Sequence, residues 1–405
     1  MTNSWVAGYS FPRGIERIVD KTIQKGSENS RLAIVITGLS RGGAERVTSF
    51  LSNYFSESGR EVYLISLTTG ERAYTLSDSV KVIELDASHI SNTLSRYLFM
   101  IRNLRKTIKK IKPKAVLGMM SYSGSLAAVA CLGLKVPFLI SERNDPNTST
   151  TFTQSERKVF TFIAHHFVTK AIFQTESARS YYFSKEDTRG VIIPNPLYLE
   201  EMPPANTALQ PSHSIVTAGR LNTQKNHSLL LDAFAVVHAQ HREYSLTIYG
   251  EGEERASLEE QRRRLGLEGS VLFPGNEKDM FAKLQEAELF VLSSNYEGMP
   301  NALIEAMAMG LPCITTDYSE GRGTVIEDRV NGLVVPRNQV QALSDAMLWC
   351  VEHPADAELL GLEASKIREQ LDSRVICKQW LATIEETEHT YYSREKCAKK
   401  VSTVE

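Results

Sequence analysis

Arg31-Leu-Ala-Ile-Val-Ile-Thr37-Gly38-Leu-Ser-Arg-Gly42-Gly43-Ala44-Glu-Arg-Val-Thr-Ser-Phe-Leu-Ser-Asn-Tyr-Phe55 opens the regular pattern of the chain. Leu32–Thr37 is an apolar run of strand length, Gly38–Gly43 is a glycine-rich turn, and Ala44–Phe55 reads as a helix. The same alternation recurs downstream. Apolar runs at 61–67, 80–85, 115–119, 137–141, 166–169 and 190–193 suit buried strands. Strands alternating with helices predict a parallel, doubly wound α/β sheet.

Residues 1–30 show no clear periodicity and are read as an N-terminal extension, with a short helix at 14–24. Residues 194–213 hold five prolines and read as a linker. The alternation then restarts, with strands expected at 214–219, 244–249, 270–273, 288–292 and 312–315. Helices are expected at 227–239, 254–265, 278–285 and 301–309, and residues 338–395 read as helical throughout. The chain therefore reads as an extension (1–30), a first sheet domain (31–200) and a second (201–384). A helix over about 385–405 is expected to return to the first domain. Doubly wound sheets bind ligands at the carboxyl ends of their strands, so two facing sheets would hold two ligands in one cleft.

Composition narrows the function. With 405 residues, 42% hydrophobic and 23% charged, the chain is an ordinary globular one. Its formal charge of −2 speaks against a global polyanion binder, so no nucleic-acid partner is expected. The five cysteines are far apart and include no CxxC, which fits a reducing cytosol. No apolar signal-peptide core follows Met1. The longest uncharged run is the twenty residues 115–134, long enough to test as a membrane span. Its polar centre, Ser121–Ser125, suits a strand (115–119) and a helix (125–133) better.

Four loops carry chemistry. The string Ser294-Asn-Tyr-Glu297-Gly298-Met299-Pro300-Asn301-Ala-Leu-Ile-Glu305 follows a strand and opens a helix. Gly298 and Pro300 permit a sharp turn and leave amides free at the helix N-terminus, an anion site. Glu305, one turn in, is placed to meet hydroxyls of a ligand held there. Ala218-Gly219-Arg220-Leu-Asn-Thr-Gln-Lys225-Asn226-His227 puts an Arg and a Lys five residues apart after a strand, suited to a diphosphate. Gly42 and Gly43 permit close backbone approach. Ser141-Glu142-Arg143-Asn144 follows another strand and suits either ligand contact or a strand-end salt bridge.

The Glu297–Glu305 string resembles the E-x7-E signature of retaining family-4 glycosyltransferases of the GT-B fold, two Rossmann-like doubly wound sheets facing one interdomain cleft. The resemblance implies an N-terminal acceptor domain and a C-terminal nucleotide-sugar domain. It implies that Glu297 lies at the donor sugar, that Glu305 holds the ribose, and that the backbone at 298–301 contacts sugar and diphosphate. Arg220 and Lys225 would hold the diphosphate, Gly42 and Gly43 would face diphosphate and acceptor, and Gly275 and Asn276 would lie near the base. Gly321-Arg322-Gly323 departs from the family's local string, and Arg322 is read as a phosphate ligand or a helix cap. Many members carry a His near position 142. Here Ser-Glu stands instead, and His165 and His166 come too late. This is similar to a subgroup extending polyprenyl-diphosphate-linked glycans in bacteria, with Glu142 or Arg143 contacting sugar or acceptor.

No Asp-x-Asp occurs, so neither a metal nor another cofactor is expected beyond the nucleotide diphosphate sugar as co-substrate. The near-neutral average hides a basic stripe. Residues 91–114 carry Arg96, Arg102, Arg105, Lys106, Lys109, Lys110, Lys112 and Lys114 with no acid. Leu94, Leu98, Ile101, Leu104, Ile108 and Ile111 recur at helical spacing beside them. A basic amphipathic helix reads as membrane-surface binding, the plainer alternative being a solvated helix packed on its sheet. In the similar transferases such a helix engages the lipid diphosphate, which implies Arg102, Arg105, Lys106 and Lys109 here and a peripheral position on the cytoplasmic face of the inner membrane. The expected activity is transfer of a hexose or N-acetylhexosamine, from a UDP-sugar, to a lipid-linked glycan. Competing readings are a nucleotide-sugar epimerase, a soluble acceptor, an NAD-dependent dehydrogenase (disfavoured by the missing GxGxxG) and a non-catalytic sugar-nucleotide binder.

Overall fold

The computed structural model describes residues 30–40, 42–143, 158, 161–163, 166–206, 212–319 and 325–401, with side chains to 394. The expected helix at 14–24, Asn144, His165 and the segment Gly321–Gly323 with Arg322 lie outside the described residues. The chain forms two compact units, Leu197–Ser373 and the described remainder on either side of it.

In the first unit the strands are β1 (Arg31–Ile36), β2 (Glu61–Ser66), β3 (Lys81–Glu84), β4 (Ala115–Met119), β5 (Phe138–Ser141), β6 (Lys170–Phe173) and β7 (Gly190–Ile192). They pair in the order β3-β2-β1-β4-β5-β6-β7, all parallel. Helices α1 (Gly43–Glu57), α2 (Thr93–Ile111), α3 (Ser121–Cys131) and α4 (Glu176–Tyr182) connect them. Every residue of β4 and β5 is buried, which is why these strands read as unbroken apolar runs. Residues 115–134 are a strand and a helix, and among the described residues no helix is long and apolar enough to cross a membrane.

The second unit repeats the plan. Strands β8 (Ser214–Ala218), β9 (Ser245–Tyr249), β10 (Val271–Gly275), β11 (Leu289–Leu292), β12 (Cys313–Thr316) and β13 (Leu333–Val335) pair in the order β10-β9-β8-β11-β12-β13, all parallel. The intervening helices are α5 (His227–Gln240), α6 (Arg255–Arg264), α7 (Met280–Gln285) and α8 (Asn301–Ala308). Then follow α9 (Val340–Glu352), α10 (Pro354–Ser365), α11 (Ile367–Gln370) and α12 (Ser373–Val401). The strand order reverses direction between β8 and β11, the switch point at which such sheets take ligands.

Several expectations are corrected. The strand placed at 166–169 is β6, four residues later. Residues 166–167 are helical, and Thr169 instead accepts the Phe138 amide on its hydroxyl, bringing Lys170 beside Leu139. β13 was not among the expected strands. The helical stretch 338–395 is four helices, with Pro354 starting α10 and a break at Leu371–Asp372. There Leu197 and Asp372 form a parallel bridge, so the units divide at 196/197 and 373/374 where 200/201 and 384/385 were expected.

α12 packs against the first unit through charge as well as apolar surface. Trp380 and Ile384 are fully buried. Arg60, at the entry to β2, is buried and pairs with Glu388 and, at 3.9 Å, with Glu385. Burial raises the pKa of both carboxyls, only partly offset by Arg60. Replacing Arg60 by Ala leaves this acid pair uncompensated. Urea unfolding of Arg60→Ala is expected to show a loss of about 3 kcal/mol; a loss below about 1 kcal/mol would refute the role assigned to the pair.

His227 starts α5 and is 1% exposed. Burial first, then the Lys225 charge, lowers its pKa to about 4. The fold therefore holds it neutral while the unfolded chain takes a proton below its ordinary value. Its contribution is present above about 6.5 and is lost as pH falls toward 4. Between pH 7 and 4.5, wild type should lose about 2 kcal/mol more stability than His227→Gln. Parallel pH profiles would contradict this.

Candidate functional site

The carboxyl ends of β8 and β11 carry the two strongest motifs, and adjacent pairing of these strands brings them together. After β8 the chain turns at Gly219, where a Cβ would press on the Lys225 side chain. Gly250, after β9, has φ +135°, and a Cβ there would overlap the Gly219 carbonyl. These two glycines let the loop fold back so that Lys225 lies under it.

Lys225 Nζ is 2.6 Å from Glu297 Oε1, with side chains 15% and 7% exposed. The Ser294 hydroxyl donates to the same oxygen at 2.7 Å. Gln224 Nε2 donates to Glu297 Oε2 at 3.4 Å and to the Tyr296 carbonyl at 3.1 Å. Ser293 Oγ donates to the Lys225 carbonyl, and Thr316 Oγ1, from β12, donates to the Ser294 carbonyl. A charge pair this deep is tolerated only when both ends are held, and these donors hold it.

Arg220 stands beside this pair in the same turn, exposed, with no hydrogen bond or ion pair of its side chain among the described residues. Gly298 and Met299 are half-buried, Pro300 is the N-cap of α8, and the first turn of that helix carries no acid. Asn301 begins the helix and Glu305 is half-buried one turn later. The helix dipole makes this end attract an anion. Thus Lys225, Glu297, Arg220 and the α8 N-terminus occupy the two loops of the switch point. Gly275 ends the edge strand β10 and its carbonyl accepts the Gly250 amide at 2.8 Å; Asn276 follows it.

In the first unit, Gly42 and Gly43 lie at the N-terminus of α1, beside that sheet's own switch point between β1 and β4. Glu45 places an acid in the same first turn. Glu142 and Arg143, expected as ligand contacts or as a strand-end pair, directly follow β5. Both are buried: the Glu142 carboxylate accepts the Arg143 amide at 2.8 Å. The Arg143 guanidinium donates to Asn195 and lies over the Trp380 ring of α12.

The basic helix α2 is also redrawn. Met100, Leu104, Ile108 and Ile111 form its buried stripe, while Leu94 and Leu98 are 67% and 61% exposed. Arg102, Lys106 and Lys109 are exposed, but Arg105 is half-buried and donates to the carbonyls of Ala130 (2.8 Å) and Leu132 (2.6 Å). It satisfies the carboxyl end of α3 and is not a free cation.

Sequence reasoning missed Gln224, Asn295, Arg337 and Asn338. Asn295 donates to the Thr223 carbonyl, and Arg337 donates to the Asn295 carbonyl at 3.0 Å. Arg337 and Asn338, with Asp317 and Pro336, also line a 570 Å³ cavity at the carboxyl ends of β12 and β13. The signal for Arg337 and Asn338 was the turn Pro336-Arg-Asn338 after the apolar run Leu333–Val335.

Known proteins match along most of the chain. A family model for Glycosyltransferase Family 4 matches residues 41–201, and one for glycosyl transferases group 1 matches residues 200–366. The chain is 25% identical over 366 residues to the Campylobacter jejuni GalNAc-α-(1→4)-GalNAc-α-(1→3)-diNAcBac-PP-undecaprenol α-1,4-N-acetyl-D-galactosaminyltransferase, covering 89% of this chain and 99% of that protein. It is 29% identical over 314 residues to the Erwinia amylovora amylovoran biosynthesis glycosyltransferase AmsD, covering 75% and 85%. Among solved structures, Anabaena HepE in complex with UDP and glucose superposes with a TM-score of 0.73 at 17% identity, covering 88% of this chain and all of that one. Sucrose-phosphate synthase from Thermosynechococcus elongatus gives 0.76 at 18% identity, covering 88% and 98%. With these models meeting end to end across two parallel-sheet units, the chain belongs to the family-4 glycosyltransferases and has the GT-B fold.

Proposed function

We propose that this glycosyltransferase moves a hexose or N-acetylhexosamine, with retention of anomeric configuration, from a nucleotide diphosphate sugar to a hydroxyl of a lipid-linked glycan. UDP is the proposed nucleotide, since HepE was solved with UDP. The Campylobacter and Erwinia relatives point to bacterial surface polysaccharide (O-antigen or capsule) or glycoprotein glycan assembly. The observation that carries the reading is the largely buried Lys225–Glu297 pair, whose glutamate lies on the loop that leads into the N-terminus of α8.

The chemistry follows from charge. The bond from the anomeric carbon to the diphosphate oxygen breaks, and negative charge grows on the diphosphate. Lys225, Arg220 and the α8 amides offer preorganised positive potential to that charge. Glu297 orients the sugar and Glu305 takes the ribose hydroxyls. The acceptor oxygen bonds to the anomeric carbon on the face the diphosphate leaves, and its proton passes to a departing phosphate oxygen. No protein nucleophile is needed, and the positive groups named supply what a divalent metal would otherwise provide.

The acceptor is reached at the cytoplasmic face of the plasma membrane. Residues 91–114 hold no acid, and α2 exposes Arg102, Lys106 and Lys109 next to the apolar Leu94, Tyr97 and Leu98. Cations draw the helix to an anionic leaflet, each contributing about 1 kcal/mol, and the leucines have no polar group to desolvate there.

Two expectations test this. With a panel of UDP-sugars and membrane lipid acceptors, Glu305→Ala and Lys225→Ala should each lower transfer about 10²-fold or more; near-normal turnover by either would remove its assigned role. Changing Arg102, Lys106 and Lys109 together to Gln should weaken binding to phosphatidylglycerol vesicles about 10²-fold while sparing a water-soluble acceptor analogue. Unchanged vesicle binding would contradict the membrane assignment.

A further inference from the structure

The loops after β8, β11 and β13 meet at three asparagines. Asn226 Nδ2 donates to Asn295 Oδ1 at 3.1 Å and to Asn338 Oδ1 at 3.0 Å. Asn226 and Asn338 both have left-handed backbones, with φ 48° and 56°, which asparagine tolerates better than most residues. Asn295 is the hub. Its amide donates to the Gln224 carbonyl at 2.8 Å, its side chain donates to the Thr223 carbonyl at 2.7 Å, and its own carbonyl accepts from Arg337 at 3.0 Å. Asn226 directly follows Lys225, and Asn295 is two residues before Glu297. Three of the links between the Lys225 and Glu297 loops run through the cluster, beside those made by Ser293 and Gln224.

We infer that Asn338 and Arg337, from the loop after β13, are positioning residues: through Asn226 and Asn295 they hold Lys225 and Glu297 in register for the diphosphate donor. This rests on the donor reading of that pair. Neither residue belongs to the two motifs that mark the site, and both also line the neighbouring cavity. Anything occupying that cavity therefore touches the clamp.

The direction of the hydrogen bonds makes the inference specific. Asn338 contributes an oxygen, so Asp can replace it; Asn226 contributes the N–H group, so Asp cannot. Asn338→Ala should raise hydrogen–deuterium exchange at 223–226 and 293–298 about fivefold, the equivalent of one hydrogen bond, with little change in melting temperature. Its affinity for UDP by calorimetry should fall by about the same factor. Asn338→Asp should restore both, and Asn226→Asp should resemble Asn338→Ala. Unchanged exchange at these segments in Asn338→Ala, or equal effects of Asp and Ala at 338, would overturn the clamp. Should Asn338→Ala unfold, the contrast between Asn338→Asp and Asn226→Asp decides the same point. Lys225→Ala separates the two ideas. If it leaves UDP affinity intact the donor reading fails, while the exchange result still judges the clamp.

Discussion

A lysine and a glutamate, 72 residues apart in sequence and both largely out of water, face each other at 2.6 Å. Burying two charges costs more than their attraction returns unless every remaining donor and acceptor is provided for. The surrounding structure supplies that provision. Gly219 and Gly250 clear room for the lysine stem, Ser294 and Gln224 complete the carboxylate, and Asn226 and Asn295 tie the two loops. Glu297 also keeps Lys225 from being an uncompensated buried cation before an anion arrives. In the proposed function a diphosphate would compete for that lysine, so that the pair would serve as a counter-ion arrangement substrate takes over.

Topology explains why these residues meet. In an all-parallel sheet with the order β10-β9-β8-β11-β12-β13, only β8 and β11 are neighbours whose following loops diverge to opposite faces. Both loops carry charge, and α8 starts immediately beyond the second. The same arithmetic places Gly42 and Gly43 at the β1/β4 switch point of the other sheet. The two halves of the chain thus use one geometric rule, with cations and amides on one sheet and a glycine turn on the other.

Much of this was legible from residue order. Fully buried parallel strands give unbroken apolar runs, so eleven of the expected strands have counterparts within a few residues, and the two donor motifs fall on the loops that the sheet brings together. What was hidden has physical causes. β13 was not expected, and with it went Arg337 and Asn338, whose placement depends on the pairing of β12 with β13. A basic helix shows its cations but not their partners, so Arg105 could not be told from Arg102 until α3 ended beside it. A strand-end Glu-Arg pair looks the same in sequence whether exposed or buried, and its contacts with Asn195 and Trp380 are distant in sequence. Leu94 and Leu98 continue the helical spacing of the core stripe, yet the helix leaves its sheet before reaching them.

The central claim is that Lys225 and Glu297 act as one unit on the donor diphosphate. A double-mutant cycle of Lys225→Met and Glu297→Gln, read as UDP affinity by calorimetry, measures this directly. The account predicts that Glu297→Gln changes UDP affinity when Lys225 is present and has no effect in the Lys225→Met background, a coupling of about 1 kcal/mol or more. Effects that add to within about 0.3 kcal/mol would contradict it.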